Sequence, residues 1–198
     1  MSVRRAGQLE REDRVKEWAL RLFIERGYAG TSVRDIAAAA EVSTGTVRNV
    51  GDKASLFLLV MEESATSYAL DVWRAISSVP PTPERSLADE VWSYFSVTLD
   101  VADANRKLFR DYWAAYVARV DGRENEARMA GVIEAVAARW CAHAGREFPD
   151  EEATVAAYAM YSTYAVTMLA ISTGLDPQQY RGYLRAVVEH QCALAIPR

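Results

Sequence analysis

The sequence contains few of the residues that usually mark catalytic, redox or metal chemistry. Two of its 198 residues are cysteine and two are histidine, which argues against a disulfide-rich scaffold and a multi-histidine metal site. Cys141 and His143 have the wrong spacing to share a helix face, and no second pair completes a site. Phosphate-binding loops, dinucleotide fingerprints and Gly-x-Ser-x-Gly elbows are absent from the sequence. We therefore expect no enzyme, no catalytic residue, no metal and no cofactor.

Proline is absent before Pro80, and the first 14 residues contain no apolar run. We expect no signal peptide and, with so few cysteines, a cytoplasmic protein. Residues 153–175 carry no charge, which exceeds the roughly 18 residues that flag a membrane-spanning helix. Their hydroxyls and acidic flanks instead predict a helix buried on several sides.

Charge is unevenly distributed along the chain. Residues 1–55 hold ten Lys/Arg and eight Asp/Glu, whereas residues 56–198 hold thirteen and nineteen, giving a net charge of −4. A mildly positive N-terminal segment on an otherwise acidic chain is consistent with binding of a polyanion by that segment. Four arginines before residue 15 form either a basic arm for a minor groove or a solvated tail.

Apolar periodicity and helix breakers predict an all-α chain of nine helices. The first runs from Glu10 to Arg26 and presents Val15, Ala19 and Leu22 on one face. Thr31 or Ser32 caps a short second helix, and Ser43 caps a short third helix that Gly51 ends. Asp52 caps the fourth helix. The later helices cover about 53–78, 84–101, 104–120, 124–143, 150–173 and 177–195.

Glu41-Val42-Ser43 joins the two short helices, which together make a helix-turn-helix. The outer face of the third helix carries Thr44, Gly45, Thr46, Arg48 and Asn49. These are short polar groups and one cation, on the part of such a helix that reads base edges in a major groove. The pattern alone leaves two interpretations open, a DNA-reading helix and a surface turn of a helical protein.

Three motifs resemble the TetR family of one-component transcription regulators. They are Gly27-Tyr-Ala-Gly-Thr-Ser-Val-Arg-Asp-Ile-Ala37, Ala40-Glu-Val-Ser-Thr-Gly-Thr-Val47 and Gly51-Asp-Lys53. Residues 22–28 also resemble the end of that family's first helix. The resemblance covers about residues 10–60.

The resemblance implies a three-helix DNA-binding domain at 1–52 and a six-helix effector-binding and dimerisation domain at 53–198. It implies a homodimer formed mostly by the last two helices, about 150–173 and 177–195. The partners would be a double-stranded DNA operator and a small effector that releases a repressor. By position, Thr31, Ser32, Arg34 and Lys53 would lie near phosphates, and Thr44, Gly45, Thr46, Arg48 and Asn49 would face the groove.

Two departures from the family pattern concern the turn and the third helix. The family usually has Gly at position 41, where the turn wants a positive φ, whereas this chain has Glu41. After Gly-Thr-Val, an aromatic–His segment is replaced by Arg48-Asn49-Val50, which is one residue shorter. Arg48 would take over part of the lost contact, as a phosphate or guanine ligand.

The second domain is rich in aromatic side chains at helical spacing. We expect a set of them to line a pocket for a small, largely apolar or aromatic effector, because buried Tyr hydroxyls need partners. This set comprises Trp92, Phe109, Trp113, Tyr116, Tyr161, Tyr164 and Met168. The alternative is that they are ordinary core residues.

Other interpretations remain open at this stage. The apolar stripe of the last helix, from Tyr180 to Leu194, fits a four-helix dimer interface or ordinary intrachain packing. The chain could also be a DNA-binding dimer without an effector. A third reading is a helical small-molecule binder or enzyme that has lost DNA binding.

Overall fold

The computed structural model describes residues 3–81, 85–119 and 122–195, with side chains throughout except at residues 3, 4, 66, 69, 70 and 122–128. These ranges form nine α-helices and no strand. The helices are α1 (Val3–Arg26), α2 (Val33–Ala39), α3 (Thr44–Val50), α4 (Lys53–Ser77), α5 (Leu87–Ala104), α6 (Arg106–Arg119), α7 (Gly122–Ala144), α8 (Glu151–Ser172) and α9 (Pro177–Ala193).

The chain divides into two compact units. Unit 1 comprises Met1–Ala65 and Arg110–Arg119, and unit 2 comprises Thr66–Phe109 and Val120–Arg198. Helices α4 and α6 therefore each contribute residues to both units. The predicted division at residue 52 concerns function and stays a prediction.

The predicted all-α class is confirmed, and α1 is longer than predicted. It begins at Val3 rather than Glu10, because residues 3–9 contain good helix formers and no proline. Of the four arginines predicted as an arm or tail, Arg5, Arg11 and Arg14 lie in this helix, and the side chain of Arg4 lies outside the described part.

Unit 1 is built on an apolar core shared by its first four helices. Leu22 and Phe23 of α1, Ile36 of α2 and Val47 of α3 are all buried. Phe23 lies edge-on to Phe57 of α4, with ring centroids 4.8 Å apart. Each such side chain contributes about 1.5–3 kcal/mol through burial, which holds the short helices α2 and α3 in place.

Asp52 caps α4 and also pairs with α6. Its Oδ1 accepts from the backbone N–H groups of Ala54 and Ser55 at 3.0 and 2.9 Å. Nη1 of Arg119 donates to Oδ1 and Oδ2 at 3.0 and 2.9 Å. The Ser55 hydrogen bond first, and Arg119 second, lower the pKa of Asp52 to about 2.

In unit 2, α5, α7, α8 and α9 pack together. Trp140 of α7 is fully buried, and its Nε1 donates to the carbonyl of Gln191 in α9 at 3.0 Å. By length and composition α8 could cross a membrane. One of its faces is nevertheless buried in this packing, at Ala153, Ala157 and Met160 among others, so we interpret it as a core helix.

Both cysteines are free and buried in unit 2. Burial raises the pKa of the Cys141 thiol and raises that of Cys192 to about 12. Since the thiolate is the reactive form, both side chains are chemically inert at neutral pH.

A buried charge cluster lies between α5 and α7. Glu90 is 1% exposed, and its carboxylate accepts two bonds from Arg139, both at 2.6 Å. His143 Nε2 lies 3.0 Å from Glu90 Oε2, and Arg85 Nε lies 3.3 Å from Oε1. Burial alone would raise the pKa of Glu90, but the bonds from Arg139 and His143 outweigh it and lower that pKa.

We expect Glu90→Gln to reduce the free energy of unfolding by roughly 3 kcal/mol, because it leaves a buried guanidinium without its counter-charge. Since the pKa of Glu90 is lowered on folding, this contribution is present at neutral pH and is lost as pH falls through the folded pKa. Urea unfolding at pH 7 measures it. The control is Asp89→Asn, whose carboxylate is 64% exposed and pairs with Arg185; we expect it to cost under about 1 kcal/mol. Equal losses in the two variants would contradict the argument.

We expect Arg119→Met to raise the pKa of Asp52 without restoring it fully to 3.8, because the Ser55 hydrogen bond remains. A carboxyl-carbon NMR titration measures this pKa. The control is Arg106→Met, since Arg106 lies on α6 like Arg119 but pairs with Asp103 and not with Asp52. In the unmodified protein, the stability that the Asp52 contacts contribute is present above about pH 4 and is lost as pH falls towards 2. An unchanged Asp52 pKa in Arg119→Met would refute the pairing.

Candidate functional site

The turn before α3 is strained and capped. Glu41 has a φ of 54°, so the predicted positive φ is confirmed, at a cost of about 1 kcal/mol for a residue with a side chain. The Oγ of Ser43 accepts from the backbone N–H of Thr46 at 3.0 Å. These features start α3 at Thr44, and Gly51 ends it with an N–H bond to the carbonyl of Val47.

The two faces of α3 differ in burial. Val47 is fully buried, whereas Thr44, Gly45, Arg48 and Asn49 are exposed. Thr46 is half-buried, and its hydroxyl lies 2.9 Å from the Ser43 hydroxyl. The structure thus places the predicted groove-facing set on one outer surface, with Thr46 partly engaged in the cap.

The outer side chains of α3 are available to an external partner. Within the described ranges, Thr44, Arg48 and Asn49 make no side-chain hydrogen bond or ion pair. A Cβ added to Gly45 would meet only the Ser43 hydroxyl, at an ordinary 3.5 Å. Nothing inside the chain therefore requires glycine there, which is consistent with close approach of something from outside.

At the start of α2, the structure corrects one prediction. Thr31 is 1% exposed, and its hydroxyl donates inward to the carbonyls of Leu22 and Gly27, both at 3.0 Å. Its side chain ties α1 to α2 and does not face a phosphate. The predicted phosphate contact of the Thr31 side chain is therefore wrong.

Ser32 and Arg34 lie on the exposed side of the same turn. Ser32 forms a capping box with Asp35, whose N–H donates to Ser32 Oγ at 3.2 Å while Oδ2 accepts from Ser32 N–H at 2.8 Å. The hydrogen bond from the Ser32 side chain lowers the pKa of Asp35. Arg34 makes no ion pair within the described ranges, so its charge is free to meet an anion.

Lys53 and Arg119 add positive charge where α4 begins. The Nζ of Lys53 lies 4.2 Å from the centroid of the Tyr28 ring, a cation–π contact that positions the ammonium. Arg119 reaches Asp52 from α6, beyond the end of α3. Sequence reasoning missed Arg119, because 67 residues separate it from Asp52 and no local motif marks it.

The predicted effector-binding residues fall into separate groups. Tyr161 and Tyr164 of α8 lie together, with centroids 5.9 Å apart, and Met168 is buried on the same helix. Trp92 lies instead beneath the Arg185 guanidinium, 5.3 Å from it. Phe109 is the last residue of α6 that belongs to unit 2. Trp113 and Tyr116 belong to unit 1, and their ring centroids lie 5.5 Å apart.

An aromatic cluster of unit 2, which we call the tyrosine cluster, surrounds Tyr164. It comprises Tyr68 and Trp73 of α4, Tyr94, Phe95 and Thr98 of α5, and Tyr161 and Tyr164 of α8. Phe95 stacks on Tyr164 at 4.6 Å, and Tyr94 lies 5.2 Å from Trp73. Helical spacing along α4 and α5 could not show which of their aromatic residues face each other and α8, so sequence reasoning missed Tyr94 and Trp73.

The described residues contain no group of three or more His, Cys, Asp and Glu side chains able to hold a metal ion. The features available for binding are therefore the exposed polar face of α3 with its neighbouring cations, and the tyrosine cluster.

Residues 17–58 match the family model described as bacterial regulatory proteins, tetR family. One curated relative is the HTH-type transcriptional regulator HbdR of Aromatoleum sp. (strain CIB), 32% identical over 102 residues. That alignment covers 51% of this chain and 44% of the relative, so the chain matches less than half of that protein's length.

Solved structures with similar folds include three TetR-family proteins. A transcriptional regulator from Pectobacterium atrosepticum has a TM-score of 0.72 and 20% identity, with 98% of both chains covered. One from Rhodococcus sp. RHA1 has a TM-score of 0.66 and 19% identity, covering 96% of this chain and 97% of its own. Thermus thermophilus FadR, a repressor solved in complex with lauroyl-CoA, has a TM-score of 0.61 and 18% identity, covering 93% and 92%. Residues 17–58 are thus similar to the helix-turn-helix segment of the tetR family, and the fold of the chain is similar to that of solved TetR-family proteins.

Proposed function

We propose that the chain is a ligand-responsive, DNA-binding transcriptional regulator, a repressor released from its operator by a small, largely apolar or aromatic effector. The observation that carries this proposal is the outer face of α3. Thr44, Arg48 and Asn49 of this face are exposed and unengaged within the described ranges, although the helix is anchored by buried Val47. Such a surface suits a helix inserted in a major groove.

The charges around α3 support an anionic partner. Arg34 and Arg48 are exposed and unpaired in the described part of the chain, and Lys53 starts α4 close by. Of the neighbouring carboxylates, Asp35 is engaged by Ser32 and Asp52 by Arg119. The cations can thus contact phosphates while Arg48 and Asn49 reach bases. The regulator would act in the cytoplasm, where the DNA is.

Effector binding is assigned to unit 2, because the tyrosine cluster lies there. Among the solved relatives, Thermus thermophilus FadR is a repressor with bound lauroyl-CoA, which supports effector binding in this fold. A ligand that changes the separation of two recognition helices from about 34–36 Å would weaken operator binding. Since coupling is reciprocal, the operator would weaken ligand binding by the same factor.

A homodimer would supply the two recognition helices. An apolar stripe is exposed on α8 at Val155, Tyr158, Val166 and Leu169, between 44% and 63% exposed. Its members are spaced 3, 8 and 3 residues apart, a repeat of about 11 residues that keeps them on one face of the helix, where they can pack against another copy. Tyr183 of the neighbouring helix α9, and Leu194 directly after that helix, are also exposed. Burial of these side chains against a second copy would form the four-helix interface expected from the sequence.

We expect Arg48→Ala to weaken sequence-selective DNA binding at least about fivefold, because a guanidinium contact to a base or phosphate contributes about 1–3 kcal/mol. Fluorescence anisotropy measures it, with a labelled fragment from upstream of the gene, a scrambled fragment and two salt concentrations.

Arg74→Ala is the matched control, because Arg74 is exposed on α4 and pairs with Asp71; its affinity should equal that of the unmodified protein. An unchanged affinity in Arg48→Ala would remove Arg48 from the interface. Equal binding to scrambled DNA, with weakening only by salt, would refute operator recognition altogether.

We expect Val166→Glu to convert the dimer into a monomer at micromolar concentration, because it places a charge in the centre of the α8 stripe. Light scattering after size exclusion gives the mass. Val101→Glu is the control, since Val101 is 50% exposed on α5, outside the stripe. A monomeric unmodified protein, or a dimeric Val166→Glu variant, would contradict the proposed interface.

A further inference from the structure

A buried hydrogen-bond donor in the tyrosine cluster lacks a partner. Trp73 is 5% exposed, and its Nε1 has no hydrogen-bond partner among the described residues. Indole N–H groups can only donate, and buried polar groups in native structures are nearly always satisfied. This N–H therefore remains without an acceptor in the described part of the chain and is available to a bound group.

The surroundings of Trp73 are flat, polarisable and rich in hydroxyls. Its ring lies beside Tyr94, which in turn contacts Phe95 at 5.2 Å. Tyr164 stacks on Phe95, and the Thr98 hydroxyl donates to the Phe95 carbonyl at 2.8 Å. Three helices thus converge aromatic faces on one region, and such faces favour stacked or edge-on aromatic partners.

The tyrosine cluster is partly accessible at Tyr164. Burial raises the pKa of the Tyr164 phenol, so protein atoms surround it on most sides. Tyr164 and its neighbour Tyr161 nevertheless both keep part of their surface accessible. That accessible surface is where a ligand would meet the cluster.

The cluster is electrically neutral. The pKa values of Tyr94 and Tyr164 are raised, first by burial and then by neighbouring tyrosines, so both phenols stay protonated at pH 7. Among the described residues no charged side chain contributes to either shift, and the nearby Glu90 is neutralised by Arg139. An anion placed here would be buried without a counter-charge, which costs several kcal/mol.

We propose that the tyrosine cluster binds a neutral, flat molecule with a hydrogen-bond acceptor, which accepts from Trp73 Nε1 and stacks against Tyr94 and Tyr164. This inference rests on the proposed effector function of unit 2 and specifies its chemistry. A carbonyl-bearing aromatic compound fits. The corresponding carboxylate, and the hydrocarbon of the same shape, do not.

Three naphthalenes with one attachment point test the proposal by calorimetry on the full-length protein without DNA. Acetylnaphthalene is neutral with an acceptor, ethylnaphthalene has the same shape without an acceptor, and naphthoate is an anion. We expect acetylnaphthalene to bind about fivefold to tenfold more tightly than ethylnaphthalene, through one hydrogen bond. Naphthoate should show no binding.

Trp73→Phe keeps an aromatic ring and removes the donor. It should abolish the preference for acetylnaphthalene over ethylnaphthalene while ethylnaphthalene binding is retained. Tyr94→Phe is a second variant and should weaken acetylnaphthalene less than Trp73→Phe does. Trp18→Phe, in α1 of unit 1, is the matched control and should preserve the preference. Thermal unfolding of each variant checks that it is folded.

Equal affinities for the acetyl and ethyl compounds, an unaltered preference in Trp73→Phe, or tight binding of naphthoate would each overturn the proposal. Failure of all three compounds to bind up to their solubility would also overturn it. The regulator function fails separately, when anisotropy shows no operator selectivity, because calorimetry contains no DNA.

Discussion

Burial of Val47 against the core of unit 1 is the contact on which presentation of α3 depends. This helix has seven residues, several with weak helix propensity, and an isolated helix shorter than about 12–15 residues is marginal in water. Val47 anchors the inner face of α3, and the Ser43 side chain caps its first turn. The helix ends at Gly51, directly before Asp52. One buried side chain and two end contacts hold the helix. The side chains at the outer positions are therefore not needed for its stability and can be those that bind a partner.

The sequence predicted what local chemistry determines. Nine helices and the caps at Ser43 and Asp52 follow from residue preferences over a few positions, and the positive φ of Glu41 follows from the family resemblance; all are found in the described residues. Thr31 was misplaced because a hydroxyl at a helix start can point inward or outward, and packing of α1 on α2 decides the direction. Arg119 beside Asp52, and Trp73 beside Tyr94, join residues far apart in sequence. The spacing of apolar residues along one helix does not show how that helix is rotated about its axis relative to another helix.

Two polar clusters of unit 2 illustrate the difference between a satisfied and an open arrangement. Glu90 is surrounded by donors from Arg139 and His143, so nothing further is needed and its role is to fix α5 against α7. The N–H of Trp73 has no acceptor among the described residues, so a bound group that accepts this hydrogen bond would stabilise the cluster. α4 is a single helix that carries this residue near one end and the Asp52 cap at the other.

The burial of both native thiols makes the protein a convenient host for site-specific labels. Cys141 and Cys192 are buried and remain protonated at neutral pH, so a maleimide or a methanethiosulfonate spin label would leave them largely unmodified. A single cysteine introduced at the exposed position of Asn49 would then carry the label alone. In a dimer, two such labels would report the distance between recognition helices directly, with and without a ligand.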